Sequence, residues 1–103
     1  MKRLMQRNSS KNSMKASFSP QVQRYIAKAY KKNKKLEKLI EKQVKLFEDN
    51  PKHPSLRTHK ITKGEQDSWS ISINMSIRMT YILLDSQTAL FVAIGTHEEV
   101  YKK

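Results

Sequence analysis

Cysteine is absent from this 103-residue chain, which removes disulfide staples, thiolate metal ligands and cysteine nucleophiles together. Long hydrophobic runs are missing as well; no stretch approaches the roughly 18 apolar residues of a membrane span. The basic start, Met1 to Ser10, has no apolar stretch behind it, which argues against a secretory signal and for a cytoplasmic protein. Acidic residues are few, 9 Asp+Glu against 21 Lys+Arg, for a formal net charge of +12. The excess is concentrated in one half: residues 1–50 carry 14 basic and 4 acidic side chains, residues 51–103 carry 7 and 5. A polyanion or an acidic protein is the partner such charge implies, because each phosphate neutralised releases counterions; lysines that only solubilise helix faces are the alternative. With 37% hydrophobic residues, the composition predicts one small folded domain with a single core.

The order of elements follows from period and punctuation. Residues 1–13 are polar, basic and aperiodic, which predicts a disordered basic arm and a domain over 14–103. Ala16 and Phe18 share one face of a short extended segment, and Ser19-Pro20 then supplies a helix cap and a proline for the first turn. Val22, Ile26 and Ala29 recur at helical spacing. Asn33 interrupts them and caps a second helix whose stripe is Leu36, Leu39, Ile40, Val44 and Phe47, ended by Asn50-Pro51. Beyond Pro54 the period changes to two. Leu56 to Thr62 reads as a weak strand and Gly64 to Asp67 as a turn. Trp69, Ile71 and Ile73 alternate with Ser70, Ser72 and Asn74; Ile77, Met79, Tyr81 and Leu83 alternate with Arg78 and Thr80; Ala89 to Ile94 reads as a buried strand. Met75-Ser76 reads as a tight hairpin and Asp85-Ser86-Gln87 as a turn. The expected class is α+β, with two N-terminal helices on one face of an antiparallel sheet of three or four strands, an edge position being open to the first segment.

Four segments together, Asn50 to Lys60 with its His53-Pro54-Ser55-Leu56-Arg57 core, Trp69 to Asn74, Ser76 to Tyr81 and Ile94 to Tyr101, resemble the RelE/ParE toxin superfamily, in its RelE/YafQ/HigB-like branch. The resemblance runs from about Met14 to Tyr101 and implies a RelE-like fold. It further implies a toxin of a bacterial type II toxin-antitoxin pair, most members being endoribonucleases that enter the ribosomal A site and cut mRNA until an antitoxin restrains them.

The residue types fit that chemistry. Cutting RNA without a metal uses the 2′-hydroxyl as nucleophile, so a site must remove that proton, stabilise a pentacoordinate phosphate and protonate the departing 5′-oxygen. Arg78, on the polar face of a central strand, suits the phosphate as a bidentate fork; a salt bridge to Asp67 or Glu65 is its other reading. His97, just past Gly95, suits leaving-group protonation, or is a loop histidine with Thr96 and Glu99 as helix caps. Tyr101, one helical turn on, either stacks on a base and assists proton transfer or anchors the tail. His53 is an acid/base candidate or part of the turn at Pro54. Lys52, Arg57, His59 and Lys60 are RNA-contacting candidates. Trp69 reads as core before base platform. A zinc site is poorly supported, no cysteine or nearby carboxylate completing a tetrahedral set around His53 and His59, and no cofactor is implied.

One departure bears on activity. RelE itself has lysines where Ser70 and Ser72 stand, so either a histidine serves as general base or catalysis is weakened or lost. The alternatives are therefore a non-catalytic inhibitor like the ParE branch, which targets DNA gyrase, an inactive antitoxin-binding relative, or a basic RNA-binding accessory protein. The expected partners are a cognate antitoxin, acidic and partly disordered, and the ribosome with its mRNA; no membrane is implied.

Overall fold

The computed structural model describes residues 13–62 and 66–101. The expected arm lies outside them except for Ser13, as do Gly64 and Glu65 of the expected turn. In chain order come β1 (Lys15–Phe18), α1 (Pro20–Lys32), α2 (Lys34–Asp49), a 3₁₀ turn (Pro54–Leu56), β2 (His59–Ile61), β3 (Ser68–Ser72), β4 (Ile77–Asp85), β5 (Thr88–Thr96) and α3 (His97–Tyr101). No helix among the described residues is long and apolar enough to cross a membrane.

Helix boundaries sit where side-chain oxygens satisfy the first free amides. Ser19 Oγ accepts the Val22 N–H at 3.2 Å, ahead of Pro20 in the first turn. Asn33 Oδ1 accepts the Leu36 N–H at 3.1 Å, so one residue closes α1 and opens α2. Between β3 and β4, no glycine is present. Asn74 instead turns the chain with its side chain, Oδ1 accepting the N–H groups of Ser76 and Ile77 at 2.8 and 2.7 Å, so the loop is broader than a Met75-Ser76 hairpin.

The sheet has five strands in the order β1-β5-β4-β3-β2. It is mixed, because β1 pairs parallel with β5, Lys15 opposite Thr88 and Phe18 opposite Phe91, while all other pairings are antiparallel. The expected three or four antiparallel strands thus gain a parallel edge, fixed by burial of Phe18, whose ring stacks on Phe91 at 5.7 Å. The free side of that edge is partly closed: the Ala16 N–H donates to Glu48 Oε2 at 3.1 Å.

Paired residues share a face, so the register divides the sheet in two. Ile71, Met79 and Ile94 in one row, and Trp69, Tyr81 and Phe91 in the next, face the helices. Against them α1 and α2 bury Val22, Ala29, Ile40 and Phe47. Phe47 is fully buried and meets Tyr81 and Phe91 edge-on, with ring centroids 4.9 and 5.2 Å away. Burial holds the Tyr81 phenol above its usual pKa. The opposite face carries Ser70 and Thr80 in one row and Ser72, Arg78 and Gly95 in another.

Candidate functional site

On the face away from α1 and α2, Arg57, His59, Arg78 and His97 line a cleft of about 200 Å³. Each arrives from a different place. Arg78 is in the middle of β4, flanked by Ser72 on β3 and Gly95 on β5. His59 opens β2 opposite Ser70, His97 opens α3, and Arg57 ends the 3₁₀ turn. No carboxylate is among its described lining residues and two arginines are, so its charge suits an anion.

Arg78 is held rather than merely present. Its Nε donates to Ser70 Oγ at 3.0 Å and its Nη2 to the Arg57 carbonyl at 2.8 Å, with the Ser70 carbonyl farther off at 3.4 Å. Ser70 is fully buried. The Nη1 group makes no hydrogen bond among the described residues, which leaves its two N–H donors for a ligand. The Asp67 alternative for Arg78 does not form; that carboxylate lies 3.5 Å from Lys60 Nζ instead.

The carbonyl that braces Arg78 belongs to a strained residue. Arg57 has φ 50° and ψ 49°, the left-handed conformation, and is the one non-glycine residue with positive φ among those described. For a non-glycine residue this costs about 1–3 kcal/mol and persists only where surrounding contacts hold it. Here the Arg57 N–H donates to the Pro54 carbonyl at 3.0 Å while its own carbonyl accepts from Arg78.

His97 is placed by a reciprocal cap. The Glu99 N–H donates to Thr96 Oγ1 at 3.2 Å and the Thr96 N–H to Glu99 Oε1 at 2.7 Å. The Glu99 side chain lies where a Cβ on Gly95 would stand. Gly95 is therefore required by close approach. Gly95→Ala is expected to displace Glu99, speed amide exchange at Thr96 and Glu99, and cost about 0.5–2 kcal/mol, the range for losing a helix cap; unchanged exchange would show that the cap does not depend on this glycine. Tyr101 ends α3, four residues after His97.

The other expected residues are not brought to Arg78. His53 caps the 3₁₀ turn, its Nδ1 accepting the Ser55 N–H at 3.1 Å with Ser55 Oγ 3.0 Å away. In the neutral ring this puts the proton on Nε2. His53 and Lys52 line a second cleft, described below. Lys60 faces the other side of β2 from His59, its ammonium 5.9 Å from the centre of the Trp69 ring. Trp69 is half-buried and stacked on Tyr81 at 5.8 Å. Among the described residues, no group of three His, Asp or Glu is placed to hold a metal ion.

Sequence reasoning missed Ser70 as the brace of Arg78 and the Arg57 carbonyl as its second anchor. Thr80, opposite Ser70, is buried, and its Oγ1 has no hydrogen-bond partner among the described residues.

No protein-family model matches the chain, and no curated protein matches it in sequence. Solved structures do match. A YoeB/ParE toxin from Agrobacterium tumefaciens superposes with a TM-score of 0.70 at 14% identity, covering 82% of this chain and 99% of that one. YafQ from E. coli gives 0.68 at 16%, covering 85% and 98%. The heterotetrameric YoeB-YefM toxin-antitoxin complex from Staphylococcus aureus contains a chain that gives 0.68 at 21%, covering 82% and 97%. At these identities the likeness is one of fold, and the fold is that of the RelE-like toxins.

Proposed function

We propose that the chain is the toxin of a type II toxin-antitoxin pair and cuts mRNA on the ribosome, in the cytoplasm, without a metal. The observation that carries this reading is the braced Arg78 guanidinium in a cleft shared with two imidazoles, His59 and His97. The fold likeness to YoeB and YafQ supports the toxin assignment, and the YefM and DinJ complexes of those proteins support a cognate antitoxin here.

In this mechanism the Nη1 group of Arg78 donates to the non-bridging oxygens of the scissile phosphate. The 2′-oxygen attacks phosphorus, the P–O5′ bond breaks, and the products are a 2′,3′-cyclic phosphate and a 5′-hydroxyl. Arg78 favours the pentacoordinate species because an already oriented guanidinium needs no reorganisation as charge builds on those oxygens. His97 protonates O5′ as it leaves, and His59, across the cleft on β2, receives the 2′-hydroxyl proton. Ser70 and Ser72 leave no lysine on that strand, and Ser70 instead fixes the phosphate-binding group. His53 contributes through the second cleft, and Tyr101 is a stacking residue for a base.

The test is cleavage of a defined mRNA by translating ribosomes in magnesium buffer, and of the same mRNA without ribosomes in EDTA, reading both new ends. Wild type is expected to leave cyclic phosphate and 5′-hydroxyl ends, and His97→Ala to slow the reaction by about 10²–10⁴-fold, as for loss of a positioned acid. Intact RNA with blocked gyrase supercoiling would replace this reading with the ParE-like one.

A further inference from the structure

The second cleft, about 560 Å³, lies on the helix side of the sheet, where the chain leaving α2 passes over the rows of β3 and β4. Its walls are apolar and aromatic: Pro54, Trp69, Tyr81 and Leu83. Its charged lining is Lys52 and Arg57, with no carboxylate among the described lining residues. Leu83 is 38% exposed, a large apolar side chain left partly open to solvent. Arg57 borders both this cleft and the one that holds Arg78, which opens on the opposite face of the sheet.

We infer that this second cleft holds the base of a nucleotide from the strand whose phosphate is bound at Arg78, with Lys52 and Arg57 on that nucleotide's own phosphate; the inference rests on the RNA-cleavage reading for the Arg78 cleft. Three features select such a ligand. A volume of about 560 Å³ lies within the roughly 300–1,000 Å³ of small-ligand sites. Apolar and aromatic walls with a purely cationic rim fit a planar group tied to an anion, which is how single-stranded RNA is gripped where its bases are unstacked. Arg57, common to both linings, stands where a strand bound by its phosphate at Arg78 would turn to the helix side of the sheet. The strained Arg57 thus serves both clefts, its carbonyl accepting from Arg78 while the same residue lines the second cleft. An acidic protein segment is the competing occupant, and its chemistry lacks the planar group the walls enclose.

Trp69 is the protein's one tryptophan and lines this cleft, so its fluorescence reports from the cleft wall. Adenosine 5′-monophosphate is expected to change that signal saturably, while ribose 5-phosphate and inorganic phosphate at equal concentration leave it unchanged. Leu83→Glu, at an exposed position, is expected to weaken the nucleotide response about tenfold or more, the scale of one lost base contact. In RNA cleavage the same variant should raise KM by a similar factor with kcat nearly constant, and Lys52→Glu should behave alike; Arg78→Ala should lower kcat and keep the nucleotide response. A response to inorganic phosphate equal to that of the nucleotide overturns the inference. So does a response to hexaglutamate in place of the nucleotide, or an active Leu83→Glu enzyme with unchanged KM. A nucleotide response lost in Leu83→Glu, from a protein that cleaves no RNA, would uphold the cleft and remove the nuclease reading.

Discussion

Arg78→Ala is expected to lower the rate of RNA cleavage by about 10²–10³-fold, the loss seen when one oriented transition-state donor is removed, while the melting temperature changes little. The separation of the two effects follows from the site: Arg78 is only half-buried, and the partners it would leave behind are one hydroxyl and two carbonyls beside an open cleft. Ser70→Ala removes the Nε brace and leaves the charge in place, so it should fall between wild type and Arg78→Ala. Arg78→Lys keeps the charge but has neither the fork for phosphate nor the geometry to reach Ser70 Oγ and the Arg57 carbonyl together, and should resemble alanine more than arginine. Single-turnover rates at saturating RNA, with circular dichroism on each variant, give the comparison. Full activity in Arg78→Ala would place the chemistry elsewhere.

The largest expected loss of stability is from Phe47→Ala. Phe47 is fully buried and is the ring through which α2 meets Tyr81 on β4 and Phe91 on β5. Truncating a phenylalanine in such a position costs about 3–5 kcal/mol, the transfer of the ring plus the cavity it leaves. Domains of this size have only about 5–15 kcal/mol in total, so the variant should be at the margin of folding at 37 °C. The urea midpoint should fall sharply with the slope preserved. A loss below about 1 kcal/mol, well under the range for such sites, would mean that the helices close over the gap.

The helices, their caps and the three long strands were legible because each is written in local terms. Ser19-Pro20 and Asn33 are adjacent to the stripes they cap, and Trp69, Ile71 and Ile73 alternate with serines over a single strand. The parallel pairing of β1 was not legible in that way. Nothing in Lys15–Phe18 names Thr88–Phe91 as its partner, although the parallel register stacks Phe18 on Phe91. The site divides similarly. Arg78 announced itself as a charge between two apolar neighbours on a strand. The separation of His53 from His59 depends on a turn whose end is Arg57 in the left-handed conformation, a backbone choice for which glycine is the usual sign and which an arginine conceals. The role of Ser70 depends on cross-strand register, since Ser70 pairs with Thr80 and reaches diagonally to Arg78.

The placement of β5 has a consequence for how the protein comes into being. This strand is the last of the five in sequence, yet it lies inside the sheet, between β1 and β4. A ribosome delivers the chain from its N-terminus, so α1 and α2 emerge while most of the surface that will cover their apolar stripes is unmade. Until β5 follows, β1 has no neighbour, Phe18 has no ring to stack on, and Arg78 has a flanking strand on one side only. His97 comes later still. The nascent polypeptide therefore carries no assembled cleft, and on the function proposed above, the ribosome that makes this protein translates its message to beyond His97 before the product is able to cut any message, including its own.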